Sequence, residues 1–224
     1  MSLIARAKAG SNIAPLEPGV YTGICVGMAD LGEQKNQIFN NYHDRVLLFF
    51  EIVGEFVDVG DGEAKPRWLS KEFTNSLHSR SNLAKMLKSW RNKDFTQDEI
   101  DGGFDLRQMV GEACQLQVML KESSNDGRTF NVIENIMALA KGTTVREPIS
   151  ELLIFDMDDM KKAEEIFPKL PQWVQDRIQK STEWPKLHRN SEDLDISMEE
   201  VATSTNAAAT PTQMPQGIED EEPF

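Results

Sequence analysis

The residue types that carry most enzymatic chemistry are thinly scattered along this chain. Its three histidines, His43, His78 and His188, have no cysteine at ligand spacing. Its two cysteines, Cys25 and Cys114, sit far apart inside apolar, strand-like runs. That pattern predicts buried free thiols in a reducing compartment, not a disulfide framework. No Walker-type glycine loop occurs. The run Asp156-Met157-Asp158-Asp159 has the composition of a two-metal nuclease site. It also stands where a helix should begin, and acids there favour the helix dipole. The expectation is a protein with no catalytic residue, no metal site and no cofactor.

Binding chemistry is better represented. Lys35, Phe39, Tyr42, Arg45, Phe49, Arg67, Trp68, Lys71, Arg128 and Phe130 mix flat aromatic faces with cations, and Arg80 and Lys88 add charge on a neighbouring helical segment. Unpaired bases stack on aromatic rings, and Lys or Arg follow the phosphates. Duplexes hide their base faces, so such a set predicts a preference for single strands with little sequence selectivity. The chain then closes on Glu219-Asp220-Glu221-Glu222-Pro223-Phe224. An acidic string ending in one aromatic ring and a free carboxylate suits a basic pocket with an apolar slot.

The charge distribution sharpens this picture. The net charge is −13, which taken whole argues against a polyanion ligand. Residues 1–150 carry 17 basic and 20 acidic side chains, whereas residues 151–224 carry 7 and 17. Between Lys65 and Lys93 eight basic residues face the single acid Glu72. From Ser191 to Phe224 there are nine acids and no Lys or Arg. A near-neutral domain with a basic segment is followed by an acidic extension, and local charge decides the partner.

The elements that must position these groups follow from periodicity. A strand is predicted over Val20–Leu31, a polar loop over Gly32–Asp44, a strong strand over Arg45–Val59 and a third over Pro66–Thr74. A helix capped by Ser79 or Ser81 carries Leu83, Met86, Leu87 and Trp90 on its apolar stripe, so Trp90 is expected in the core. A short helix can start at Thr96. A fourth strand follows Gly111, Asn125-Asp126-Gly127 makes a hairpin turn, and a fifth strand spans Arg128 to Met137. Helices are predicted over Met157–Phe167, stopping at Pro168, and over Pro171–Lys180.

Three strands, a helix and two strands match the topology of an OB-fold, a five-stranded Greek-key barrel. The expected organisation is a flexible arm at 1–16, a mainly β OB-fold domain at 17–145, a helical extension at 146–189 and a disordered acidic tail at 190–224. No signal peptide or membrane-length apolar run is evident, so a soluble, cytoplasmic protein is expected.

The segment Phe73-Thr74-Asn75-Ser76-Leu77-His78-Ser79-Arg80-Ser81-Asn82-Leu83, with Ser89-Trp90-Arg91, Phe95-Thr96 and Gly103-Phe104-Asp105-Leu106, resembles a bacteriophage group of single-stranded DNA-binding proteins with an OB-fold. The terminal Glu219–Phe224 looks like the acidic tip by which bacterial single-stranded DNA-binding proteins recruit replication and repair enzymes. The resemblance implies a protein of phage DNA replication or recombination, acting in the host cytoplasm. It would coat single strands and recruit partners through its tip. The tetramer-forming core of the bacterial proteins is not evident, and a homo-oligomer is left open. Two other readings stand beside it. One is a protein-interaction adaptor without nucleic-acid binding. The other is a metal-dependent nuclease using the central acids.

Overall fold

Pro18 cannot donate to a ladder, and the first strand, β1, starts just after it at Gly19 and runs to Asn36. In the computed structural model, which describes residues 13–36, 40–58, 62–123 and 127–186, β1 pairs antiparallel with β2, Asn41–Asp58. The ladder extends to Asn36↔Asn41, so the segment expected as a loop over Gly32–Asp44 is mostly hairpin. Its pairs Glu33↔Asp44, Gln34↔His43 and Lys35↔Tyr42 are polar, which is why alternation did not betray them. Register shifts between Cys25 and Gly27 and between Asp30 and Gly32 bend β1.

β3, Ala64–Thr74, pairs antiparallel with β2. β4, Ala113–Glu122, and β5, Thr129–Met137, form a hairpin that joins the other side of β1. The strand order is β3-β2-β1-β4-β5. The sheet is not closed by a backbone ladder. Side chains span the gap instead: Lys71 Nζ donates to the carbonyls of Ile133 at 2.6 Å and Glu134 at 2.7 Å, and Arg67 donates to Asn131 Oδ1 at 3.1 Å. Asn131 also accepts from the Leu16 amide and donates to the Leu16 carbonyl. Leu16 is thereby drawn into the core, so the arm expected over 1–16 ends in a buried anchor.

Helix α1, Asn82–Arg91, lies between β3 and β4 in sequence. Ser81 caps it by accepting from the Ala84 amide. Its buried face, Leu83, Ala84, Met86, Leu87 and Trp90, covers the inner side of the sheet with Val46, Leu48, Phe50, Cys114, Leu116 and Val118. Trp90 is a core residue as expected, 5.6 Å from the Phe50 ring and bonded through Nε1 to the Ala113 carbonyl. Thr96 starts α2, Gln97–Asp101, with a full capping box to Glu99. Both cysteines are free and buried, and burial pushes the Cys25 thiol up to about 12.

The extension holds a strand that alternation did not reveal. β6, Leu153–Phe155, pairs parallel with β1 at Gly27–Ala29. A Cβ at Gly27 would lie 2.4 Å from the Leu153 carbonyl oxygen, so the absence of a side chain there permits the pairing. α3, Met160–Ile166, gives way to a 3₁₀ turn, Phe167–Lys169, that contains Pro168. α4, Gln172–Gln179, follows Pro171. Among the described residues no helix is long and apolar enough to cross a membrane.

Candidate functional site

The two faces of the β2–β3 pair have different coverings. Register places Arg45, Leu47, Phe49 and Glu51 opposite Thr74, Glu72, Ser70 and Trp68, so these eight side chains share one face. It was the surface expected to stack bases. Leu47 and Phe49 are 2 % exposed and Glu51 is 0 % exposed. Residues of the extension reach this face. Glu51 accepts from the Ile149 and Ser150 amides, from Ser150 Oγ at 2.6 Å and from Arg146 Nη2 at 2.8 Å. Burial pushes the Glu51 carboxyl up, but the bonds from Ser150, Ile149 and Arg146 prevail and hold it below the usual range. Trp68 is half-buried; its Nε1 donates to Ser150 Oγ at 2.7 Å, and its ring lies 5.8 Å from that of Phe49. Phe49 is therefore not a surface ring.

An open groove lies beside this face. It has a volume of about 990 Å³ and is bounded by the end of the β1–β2 hairpin, the β3–α1 connection, one side of α1 and β5. Tyr42, Arg45, Lys71 and Arg80, four of the expected binding residues, line it. His43, His78 and Lys85 line it too and were not singled out for binding. Lys85 shares the polar side of α1 with Asn82 and Ser89, at spacings of three and four residues, and that pattern was its signal. The stretch from Phe73 to Asn82, where the resemblance was sharpest, supplies most of one wall.

The groove cations differ in freedom. Arg45 bonds Glu72 at 2.6 Å and Thr74, and Glu72 also holds Arg177 of α4 at 3.1 Å. Lys71 is spent on the β5 carbonyls; burial foremost, and Lys121 nearby, lower its pKa against the pull of Glu134. Arg80 and Lys85 are exposed and, among the described residues, carry no side-chain ion pair. The groove is not a uniformly positive track, because Glu33, Asp44, Glu72 and Glu134 also line it. The first turn of α1 contains no acid, so its amide end adds positive potential to the wall.

The remaining expected residues are dispersed. Lys35 is exposed opposite Tyr42 at the hairpin end. Arg67 spans the β3–β5 gap. Lys88 pairs with Asp94 at 3.0 Å. Phe130 is 46 % exposed on β5 opposite Lys121. Arg128 is exposed beside the β4–β5 turn. Phe39, His188 and the whole of Glu219, Asp220, Glu221, Glu222, Pro223 and Phe224 lie outside the described residues.

The acidic run reads as a helix start. Asp159 is the N-cap of α3 and accepts from the Lys162 amide, and Asp156 accepts from the Asp158 amide. Among the described residues no group of three His, Cys, Asp or Glu has metal-holding geometry. No family model matches the chain, and no curated protein matches it.

Proposed function

We propose that the chain binds single-stranded DNA in the groove between the hairpin end, α1 and β5. The observation that carries this reading is the pair Arg80 and Lys85, exposed and without ion-pair partners among the described residues, on a groove that also holds the exposed ring of Tyr42. A phosphate chain would run along Arg80, Lys85 and the amide end of α1, with a base on Tyr42. Arg45 is kept in place by Glu72 and offers its remaining donors. The strand order, the gap between β3 and β5 and the placement of α1 support an OB-type barrel. The terminal Glu219–Phe224 would recruit replication or recombination proteins during phage DNA metabolism.

The test is anisotropy of labelled oligo-dT, beside a duplex of equal length, at low and moderate salt. Binding to the single strand alone, weakening as salt rises and lost on R80E/K85E, supports the reading. No Trp lines the groove, so tryptophan quenching should be small. The four carboxylates in the lining favour one runner-up, an adaptor that binds a protein segment of mixed charge. It predicts no oligonucleotide binding under any salt condition.

A further inference from the structure

The extension ends against the β1–β2 hairpin at a cluster of like charges. Gly32 has φ +64°, which turns two successive amides toward carboxylates on different elements. The Gly32 amide donates to Asp30 Oδ1 at 2.9 Å, and the Glu33 amide donates to Glu183 Oε2 at 3.1 Å. A Cβ at Gly32 would lie 2.5 Å from Glu183 Oε2, so this carboxylate rests directly on the turn. Asp156, just past β6, faces Asp30 as well. Counter-charge reaches Asp156 from two elements: Arg107 lies 3.6 Å away, and Lys162 of α3 also attracts it. Glu33 is bonded to the same segment, through its carbonyl from the Thr182 amide and through Oε2 from Thr182 Oγ1 at 2.7 Å.

We propose that Asp30, set against Glu183 and Asp156, forms a proton-dependent latch, which holds Ser181–Trp184 on the hairpin while Asp30 is protonated and slackens when it is charged. A proton on Asp30 removes its repulsion of the neighbouring carboxylates and supplies a donor in a half-buried site. A proton suits the site better than a metal, because no metal-holding geometry occurs among the described residues. Burial first, then the charges of Glu183 and Asp156, push the Asp30 carboxyl up to about 6, although the Gly32 amide opposes them.

The sign follows from linkage. Docking brings Glu183 against Asp30, so the docked state holds the Asp30 proton more tightly than a chain from which Ser181–Trp184 has been released. Docking is therefore strongest in acid and weakens as pH rises through about 6. The full shift corresponds to roughly a hundredfold, and the part that docking itself supplies, after solvent screening, to about tenfold at most.

The test is amide exchange of residues 177–186 in the full chain at pH 5 and pH 7.5, corrected for intrinsic rates. No oligonucleotide is present, so the result is independent of what the groove binds. Protection about five- to tenfold lower at pH 7.5 is expected. Asp30→Asn keeps the acceptor for Gly32 and should give equal protection at both values. Should that variant not fold, Glu183→Gln carries the same expectation. Equal protection in the parent chain, or a pH dependence that survives in the folded variants, overturns the latch. Restoration of protection at pH 7.5 by millimolar magnesium also overturns it, in favour of a cation site.

Discussion

The outer face of the β2–β3 pair and the groove beside it draw on the same two strands, yet only the groove is open. The outer face has the better aromatics, Phe49 and Trp68, but a buried carboxylate, Glu51, lies opposite Trp68 and the extension bonds to both. The groove has the exposed phenol ring of Tyr42 and cations without ion-pair partners among the described residues. Aromatic content on a strand is therefore a poor guide to a binding face. The charge status of the neighbours and the availability of a cover decide. Glu51 marks the covered face as clearly as Arg80 and Lys85 mark the open one.

Disrupting the cover should have the largest effect. Glu51→Ala leaves Arg146 and the Ile149 and Ser150 amides without their acceptor. A loss of about 3–5 kcal/mol is expected, read as a lower midpoint in urea unfolding. Trp68→Ala should cost about 2–3 kcal/mol from lost ring burial and the Ser150 bond, with oligo-dT affinity unchanged within about twofold. An affinity loss of tenfold or more with folding intact would reverse the assignment of the two faces. The groove variant R80E/K85E should do the opposite. It should lower oligo-dT affinity by about tenfold or more, reduce the salt slope by about 0.7 for each phosphate no longer neutralised, and leave stability within about 0.5 kcal/mol.

The smallest effect is set by acid. The folded Glu51 carboxyl lies below its unfolded value of 4.5. The stability it contributes is present above that value and lost as pH falls through the lower, folded one. Acid should therefore loosen residues 146–150. Amide exchange of that segment at pH 3.5 and pH 5 would check this. Equal protection would mean that the carboxylate is not what holds the cover.

Much of the fold was legible from the residue pattern, and the failures have physical causes. Ser81 and Thr96 announced both helix starts because their side chains complete amides that helices leave unpaired. The pattern from Val46 to Phe50 is apolar on both parities, the mark of a strand buried on two sides. Phe49 stands among the expected binding residues by type, and burial on the second side takes it out of reach. β6 is three residues long, too short for alternation, and its pairing depends on a glycine more than 120 residues away. The binding residues were legible by type but not by availability. Nothing local to Arg67 or Lys71 tells that the β3–β5 gap consumes them. Lys85 was legible as one point on a polar helical stripe and became a candidate only once the stripe faced an opening.

The way the extension covers the sheet sets where the chain can be cut. Composition suggests a boundary near residue 145, where the predicted barrel ends. A chain ending there would lose β6 and the Arg146, Ile149 and Ser150 partners of Glu51 and Trp68. It would expose an apolar sheet face and an unpaired strand edge at Gly27–Ala29. Such a fragment is a template for self-association, so clumping in it would reflect the missing cover and not a natural oligomer. A piece that keeps these contacts runs from before Leu16 to Trp184.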